Sequence, residues 1–379
     1  MVLLIVVRVF SFFLGVYLIS STILSTLQTF VLPRASNTRI ARFAFTMTRR
    51  VLDTFVPPSR PYLERDRSLA MLAPVGLMLL PAIWLLLVFS GFTLVFWGMG
   101  IEPFGEAVLV SGSQLFTLGF ERLDPHNFFA AILAGFVESA IGLGLLALLI
   151  SYLPTIYAAF SRRETLVTML EPLAGSPPTA LTLIKRLHRV GALDRLDGYW
   201  RRYQEWFADI EESHTSLAAL VFLRSPQPNQ SWVVTAGCIL DAAALTASCL
   251  DIQRTADAEV CLRAGFITLR RVADFFSVSY DVDPKPEDPV SVSRQEFDEA
   301  YDSLRQGGLP MKPDQDACWR AFNGWRVNYD TVLLHLAGMT VAPPGKWSGD
   351  RQIPFTPVPF RAFFRRVRVS PPEILDRDD

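Results

Sequence analysis

Three stretches of this chain carry no charged residue over lengths that can cross a lipid bilayer. They hold 25 residues between Arg8 and Arg34, 34 between Arg67 and Glu102, and 23 between Glu138 and Arg162. A helix of about 20 apolar residues crosses a hydrocarbon core of roughly 30 Å. Backbone polar groups in lipid must bond within their own segment, so each run reads as a helix. The chain is 50% hydrophobic and only 19% charged, with a mean hydropathy of +0.28. Globular domains carry about 25% charge. A purely soluble enzyme is excluded, and an integral membrane protein is expected.

The first helix is expected over about Val9 to Leu32, ending at Pro33-Arg34. It does not read as a secretory signal: no basic residue precedes it, Arg8 sits inside the apolar stretch, and no small-residue cleavage site comes after it. Arg8 reads as snorkelling to the outer surface. Eight arginines against three acids lie from Arg34 to Arg67. Loops rich in Arg and Lys stay in the cytoplasm. Ile40, Phe43, Met47, Val51 and Phe55 recur there at spacings of three and four, with Arg39, Arg42, Arg49 and Arg50 on the other side. That pattern predicts an amphipathic helix on the inner membrane surface, or an ordinary half-buried helix packed on the soluble domain.

The second spanning helix is expected within Leu69 to Gly98, with Pro74 and Pro81 as kinks. The third runs from about Asn127 to Tyr157 and closes at Ser161-Arg162-Arg163-Glu164. The loop between them holds Glu102, Glu106, Glu121 and Asp124 against Arg122, so it should face outward. The resulting topology has the N-terminus outside and the C-terminal domain in the cytoplasm. The expected segments are an N-terminal span at 1–33, a basic amphipathic linker at 34–68, a membrane module at 69–163, a helical cytoplasmic domain at 164–342 and a Pro-, aromatic- and Arg-rich tail at 343–379.

The cytoplasmic part has helical apolar spacing over Pro178–Val190, Arg195–Glu212, Gln230–Ala256, Glu259–Ser277, Arg294–Gln306 and Asp314–Leu336. Cys238, Cys249, Cys261 and Cys318 form no C-x-x-C pair, which fits reduced, buried thiols. The four histidines have no ligand spacing, the acidic loop at Asp281 to Asp288 lacks the glycine of a calcium loop, and no nucleotide or hydrolase motif is present. No metal, cofactor or catalytic residue is expected. The net charge of −1 offers no general attraction for nucleic acid.

Ala107 to Phe120 is a fourth uncharged stretch of 14 residues, too short to span and flanked by two spans. A short half-helix leading into irregular backbone suits a re-entrant segment lining a water-filled path. Carbonyls at its end can replace the hydration shell of an ion. The segment Ala107-Val108-Leu109-Val110-Ser111-Gly112-Ser113-Gln114-Leu115-Phe116-Thr117-Leu118-Gly119-Phe120 resembles the pore helix and filter of potassium channels, whose filter reads T-V-G-Y-G-D. Ala131–Ser161 resembles the inner helix of two-helix channel subunits. The resemblance covers Leu69 to Glu164 only.

With the charge-free runs and the helical spacing of the cytoplasmic part, the expected protein is an all-α membrane protein with three transmembrane helices, a re-entrant pore helix and a helical cytoplasmic domain, in a bacterial-type inner membrane. The resemblance implies a homotetramer in which Thr117, Leu118, Gly119 and Phe120 supply filter carbonyls to potassium or another monovalent cation. The half-helix at Gly105–Phe116 would aim its negative C-terminal end at the ion. Glu121 and Arg122 stand where the family has Gly and Asp, at the pore mouth. On the third helix, Glu138 faces either a cavity or the back of the half-helix. Gly142 and Gly144 serve either a gating hinge or close packing. Glu121 and Arg122 also motivate a second reading, a non-conducting membrane scaffold or sensor that reuses the pore fold for assembly.

Overall fold

A computed structural model describes residues 2–30, 62–121, 125–252 and 256–353, together with Ile40, Phe43, Met47, Thr48, Val51 and Thr54. Among them every regular element is a helix, and the one β-bridge pairs Leu250 with Met311. The chain divides into two compact units, Met1–Pro58 with Ser68–Ala159, and Ser59–Arg67 with Phe160–Asp379.

The first unit is built on α1 (Val2–Phe30), α3 (Leu72–Gly98), α4 (Phe104–Leu115) and the first part of α5 (Pro125–Ala174). Helices α1 and α3 pack antiparallel, and glycines set how closely. A side chain at Gly15 would come within 2.5 Å of the Gly91 carbonyl, and one at Gly98 within 2.8 Å of the Arg8 carbonyl. Small residues at such crossings let helix backbones meet where lipid offers no hydrophobic drive. Arg8 of α1 pairs with Glu102, just past the end of α3. At the other end Trp84 Nε1 donates to Ser25 Oγ over 3.4 Å. Pro74 lies in the first turn of α3, where a missing N–H removes no helical bond, while Pro81 lies inside the helix. Ile40 packs beside Leu80 and Trp84, and Phe43, Met47 and Val51 are exposed in helical conformation. Phe55 and the four arginines of the expected amphipathic helix lie outside the described residues.

The second unit holds α2 (Tyr62–Leu69) up to Arg67, the end of α5, and α6 (Ala180–Arg189), α7 (Leu196–Ser216), α8 (Trp232–Cys249), α9 (Ala256–Phe275), α10 (Arg294–Gln306), α11 (Gln315–Arg326) and α12 (Asp330–Thr340). Helix starts carry polar caps that accept backbone N–H groups: Thr179 for α6, Ser231 for α8, a Ser293/Glu296 capping box for α10 and Asp314 for α11. Helix α8 is the central element, packed by α6, α9, α11 and α12. All four cysteines are buried and free.

Among the described residues, four helical stretches are long and apolar enough to cross a membrane: Val2–Thr29, Tyr62–Gly98, Phe129–Ala174 and Trp232–Cys249. The chain is therefore a membrane protein by its helices. The fourth stretch, which is α8, is 94% buried within the protein, against 17% for the first and third. Its faces are taken by the core of the second unit, and it carries the buried Asp241.

Several boundaries differ from the sequence expectation: α1 begins at Val2 and not Val9, and α8 ends at Cys249 and not Ala256. Helix α5 does not stop at the charges of Ser161–Glu164 but runs unbroken to Ala174, ending at Gly175 (φ +85°) before two prolines. Charge marks the end of an apolar span and not of a helix, because the backbone bonds continue regardless. The expected helix Asp314–Leu336 is instead two, α11 and α12. Asn328 ends the first by donating its side-chain amide to the carbonyls of Gly324 and Trp325 at 2.9 and 3.4 Å. Arg270 Nε and a second guanidinium nitrogen then hold the Asn328 carbonyl and side-chain oxygen at 2.9 and 3.2 Å. An asparagine amide competing for helix carbonyls is a local stop signal.

Candidate functional site

The segment after α4 is organised by one residue of that helix, Ser113, whose side chain is fully buried. Its carbonyl accepts the N–H groups of Leu118 at 2.8 Å and Gly119 at 3.5 Å. Its hydroxyl accepts the N–H of Glu121 at 3.2 Å. The preceding turn is closed by Thr117 N–H donating to the Gln114 carbonyl at 3.0 Å.

A trans peptide is planar, with its N–H and C=O pointing in opposite directions. Turning the N–H groups of Leu118, Gly119 and Glu121 toward Ser113 therefore turns the carbonyls of Thr117, Leu118 and Phe120 away from it. Among the described residues no donor meets these three carbonyls. The path needs left-handed backbone at two places, Thr117 (φ +54°) and Gly119 (φ +68°). Glycine adopts this region freely, whereas a β-branched residue there is strained by on the order of 1–3 kcal/mol. The side chains of Phe116, Leu118 and Phe120 are 56%, 63% and 58% exposed.

Helix α5 supports α4 from behind with a stripe of small and polar residues at helical spacing. Gly135 sits against the Gln114 side chain, where a Cβ would come within 3.1 Å. Ser139 Oγ donates to the Gln114 carbonyl at 2.8 Å. A Cβ at Gly142 would overlap the Leu115 carbonyl, so α5 approaches the end of α4 to backbone contact there. Gly144 has open space around it. Glu138 is fully buried between these elements. Ser111 Oγ lies 2.6 Å from Glu138 Oε1 and 3.1 Å from the Phe89 carbonyl, so this hydroxyl ties α4 to both α5 and α3. Oε2 of Glu138 has no partner among the described residues.

The structure thus places Glu138 at the back of α4, beside Ser111, and Gly142 at a close helix contact. Thr117, Leu118, Gly119 and Phe120 lie together on the exposed segment, and Glu121 is half-buried at its end. Arg122 lies outside the described residues. The supporting set of Ser111, Ser113, Gln114 and Ser139 was not singled out in the sequence. Its signal was the density of hydroxyl and amide groups, three polar residues within Ser111–Gln114, in an otherwise apolar run.

In the second unit the buried charged residues are paired. Arg326 Nε donates to Asp330 at 2.6 Å, and its two terminal nitrogens donate to Asp241 at 2.5 Å and to the Trp347 carbonyl at 2.6 Å. Desolvation acts to lower the Arg326 pKa, and the two carboxylates more than offset it and leave it raised. At the surface the guanidinium of Arg351 brings the Glu296 carboxyl down to about 2. Among the described residues no cluster of three or more His, Cys, Asp or Glu side chains is placed to hold a metal ion.

Comparison with known proteins returned no match: no family model, no curated protein and no solved structure is similar to the chain.

Proposed function

We propose that the chain is a pore-loop cation channel, a homotetramer in which α4 is a re-entrant helix and the segment Thr117–Phe120 lines the ion path. The observation that carries this reading is the direction of the loop carbonyls. Those of Thr117, Leu118 and Phe120 point away from the helix that anchors them and meet no donor among the described residues. Unpaired carbonyls at membrane depth are tolerated only where they line an aqueous path or meet an ion. Strain at Thr117 supports the same reading, since backbone held in a sparsely populated conformation marks functional loops.

One copy cannot surround an ion. The exposed Phe116, Leu118 and Phe120 supply apolar surface for neighbouring copies, and closed rotational symmetry multiplies one carbonyl into a ring. In this arrangement α1, α3 and α5 are the spans, with the 99–124 loop outside and the second unit in the cytoplasm. The permeant ion is potassium or another monovalent cation. Glu121 adds four carboxylates near the mouth, a ring that favours cations over anions.

The second reading, a non-conducting scaffold or sensor, draws on the same Glu121, a non-glycine residue where the potassium-channel filter has its second glycine. Native mass spectrometry of the purified full chain in mild detergent separates the two. A species of four copies is the expected result. A monomer or dimer at all detergent concentrations overturns the pore and leaves the scaffold.

A further inference from the structure

Arg163 enters the second unit on α5, the same unbroken helix that carries Gly142. Its side chain is 1% exposed, and it is bonded on every side. Nε donates to Glu164 Oε1 at 2.8 Å. Its terminal nitrogens donate to the Leu220 carbonyl at 2.7 Å and the Leu223 carbonyl at 2.7 Å, both in the connection between α7 and α8. The same guanidinium lies 3.3 Å from Nε2 of His214, a histidine on α7 with no exposed surface. The α7 side chains Trp206 and Tyr203 also bond α5, donating to the carbonyls of Arg163 and Leu166, both at 3.2 Å.

Proton counting fixes the state of His214. A guanidinium has five donors and no acceptor, so Nε2 facing it must be the bare, accepting nitrogen. The hydrogen then sits on Nδ1, 3.0 Å from Ser213 Oγ. Ser213 in turn donates its own hydrogen to the Asp209 carbonyl at 2.6 Å. The chain Nδ1–H to Ser213 to Asp209 is complete with a neutral ring. A second proton has one place to go, Nε2, directly against Arg163.

We propose that His214 is an acid-operated latch on the cytoplasmic end of α5: protonation at Nε2 drives Arg163 off the ring and frees the Leu217–Leu223 connection. The groups facing the ring are Arg163 from α5, Ser213 and the Ile210 carbonyl from α7, and the Trp232 ring from α8, at 4.9 Å between centroids. Glu164 is the residue next to Arg163 on α5. It is already committed to Arg163 through Oε1, and its Oε2 is buried without a partner.

Burial, and then the Arg163 charge, hold the His214 pKa well below that of an ordinary imidazole. The closed latch therefore resists protonation, and the open latch takes up a proton at about 6.5. A group with a depressed folded value stabilises the closed form above the open-form pKa and stops doing so as pH falls. Each pH unit below about 6.5 thus favours opening about tenfold, until the folded value is reached. As a gate on ion flow this rests on the pore reading; as a latch it does not.

Hydrogen exchange of the full chain in detergent, tracked from pH 7.5 to 5, tests it. After correction for intrinsic exchange chemistry, amides of 217–223 should lose protection about tenfold per pH unit below 6.5. His214→Gln, whose amide oxygen can still accept from Arg163, should lose this pH dependence. Should that variant fail to fold, NMR of histidine-labelled wild-type chain replaces it. One imidazole staying neutral below pH 5.5 supports the latch, and all four titrating near 6.5 overturn it. Flat protection in the wild type, or an unchanged pH response in His214→Gln, also overturns it. Exchange needs no conduction, so opening without cation flux in liposomes would sink the pore alone, and flux with flat exchange would sink the latch alone.

Discussion

Arg326→Leu should lower the melting temperature of the second unit by about 10 °C. Removing one partner of a buried ion pair costs about 3–5 kcal/mol, because the charge left behind stays desolvated and unpaired. In a domain of this size each kcal/mol moves the midpoint by roughly 2–4 °C. Arg326 is fully buried and serves two carboxylates at once, Asp241 on α8 and Asp330 at the start of α12. It also donates to the Trp347 carbonyl. Tyr329 Oη donates to Asp241 at 2.9 Å, and Ser291 donates to both oxygens of Asp330 at 2.7 and 2.8 Å. Those bonds survive the substitution but bring no positive charge, so both anions are stranded. Tryptophan fluorescence during a thermal scan reads the effect, since Trp347 and Trp232 are both buried in this core. A midpoint within 2 °C of wild type would contradict the role given to this network.

Gly142→Leu should reduce cation flux per protein by about 5- to 150-fold, while Gly144→Leu leaves it within twofold of wild type. The two glycines are neighbours in sequence and opposite in surroundings. A Cβ at position 142 overlaps the Leu115 carbonyl at the end of α4, and one at position 144 meets nothing. Forcing atoms into a filled contact typically costs about 1–3 kcal/mol, and each 1.4 kcal/mol is a factor of ten in the docked population. The loop from Thr117 to Glu121 hangs on Ser113, so moving α4 moves its carbonyls with it. Flux from proteoliposomes of equal protein content is the measurement. Equal loss in both variants would mean that helix flexibility, and not this contact, is what position 142 supplies.

The range of each interaction decided whether it could be read from the sequence. The charge-free runs, the short helix after Glu102 and the helical spacing of α6, α8, α10 and α11 all depend on neighbours within a few residues, and all were legible. The expected half-helix Gly105–Phe116 is observed as Phe104–Leu115, and Arg294–Gln306 has its expected bounds. Contacts that join distant segments left no such trace. Ser111 is an ordinary residue in an apolar run until α5 brings Glu138 to within 2.6 Å of it. Arg163 read as the charged end of a membrane span, yet its side chain is enclosed by α7 and the Leu220–Leu223 turn. The break at Asn328 lacks glycine and proline, and Arg270, far off in sequence, holds it in place. Glu138 left two readings open in the sequence because periodicity cannot say which neighbour a helix face meets.

The most direct test of the pore is cation flux through the purified wild-type chain. Liposomes loaded with a potassium gradient and a pH-reporting dye should show valinomycin-like dissipation without valinomycin, and Gly119→Ala, strained at its left-handed backbone, should slow it. No flux from tetramers at any pH or gradient, with Gly119→Ala indistinguishable from wild type, would contradict the account.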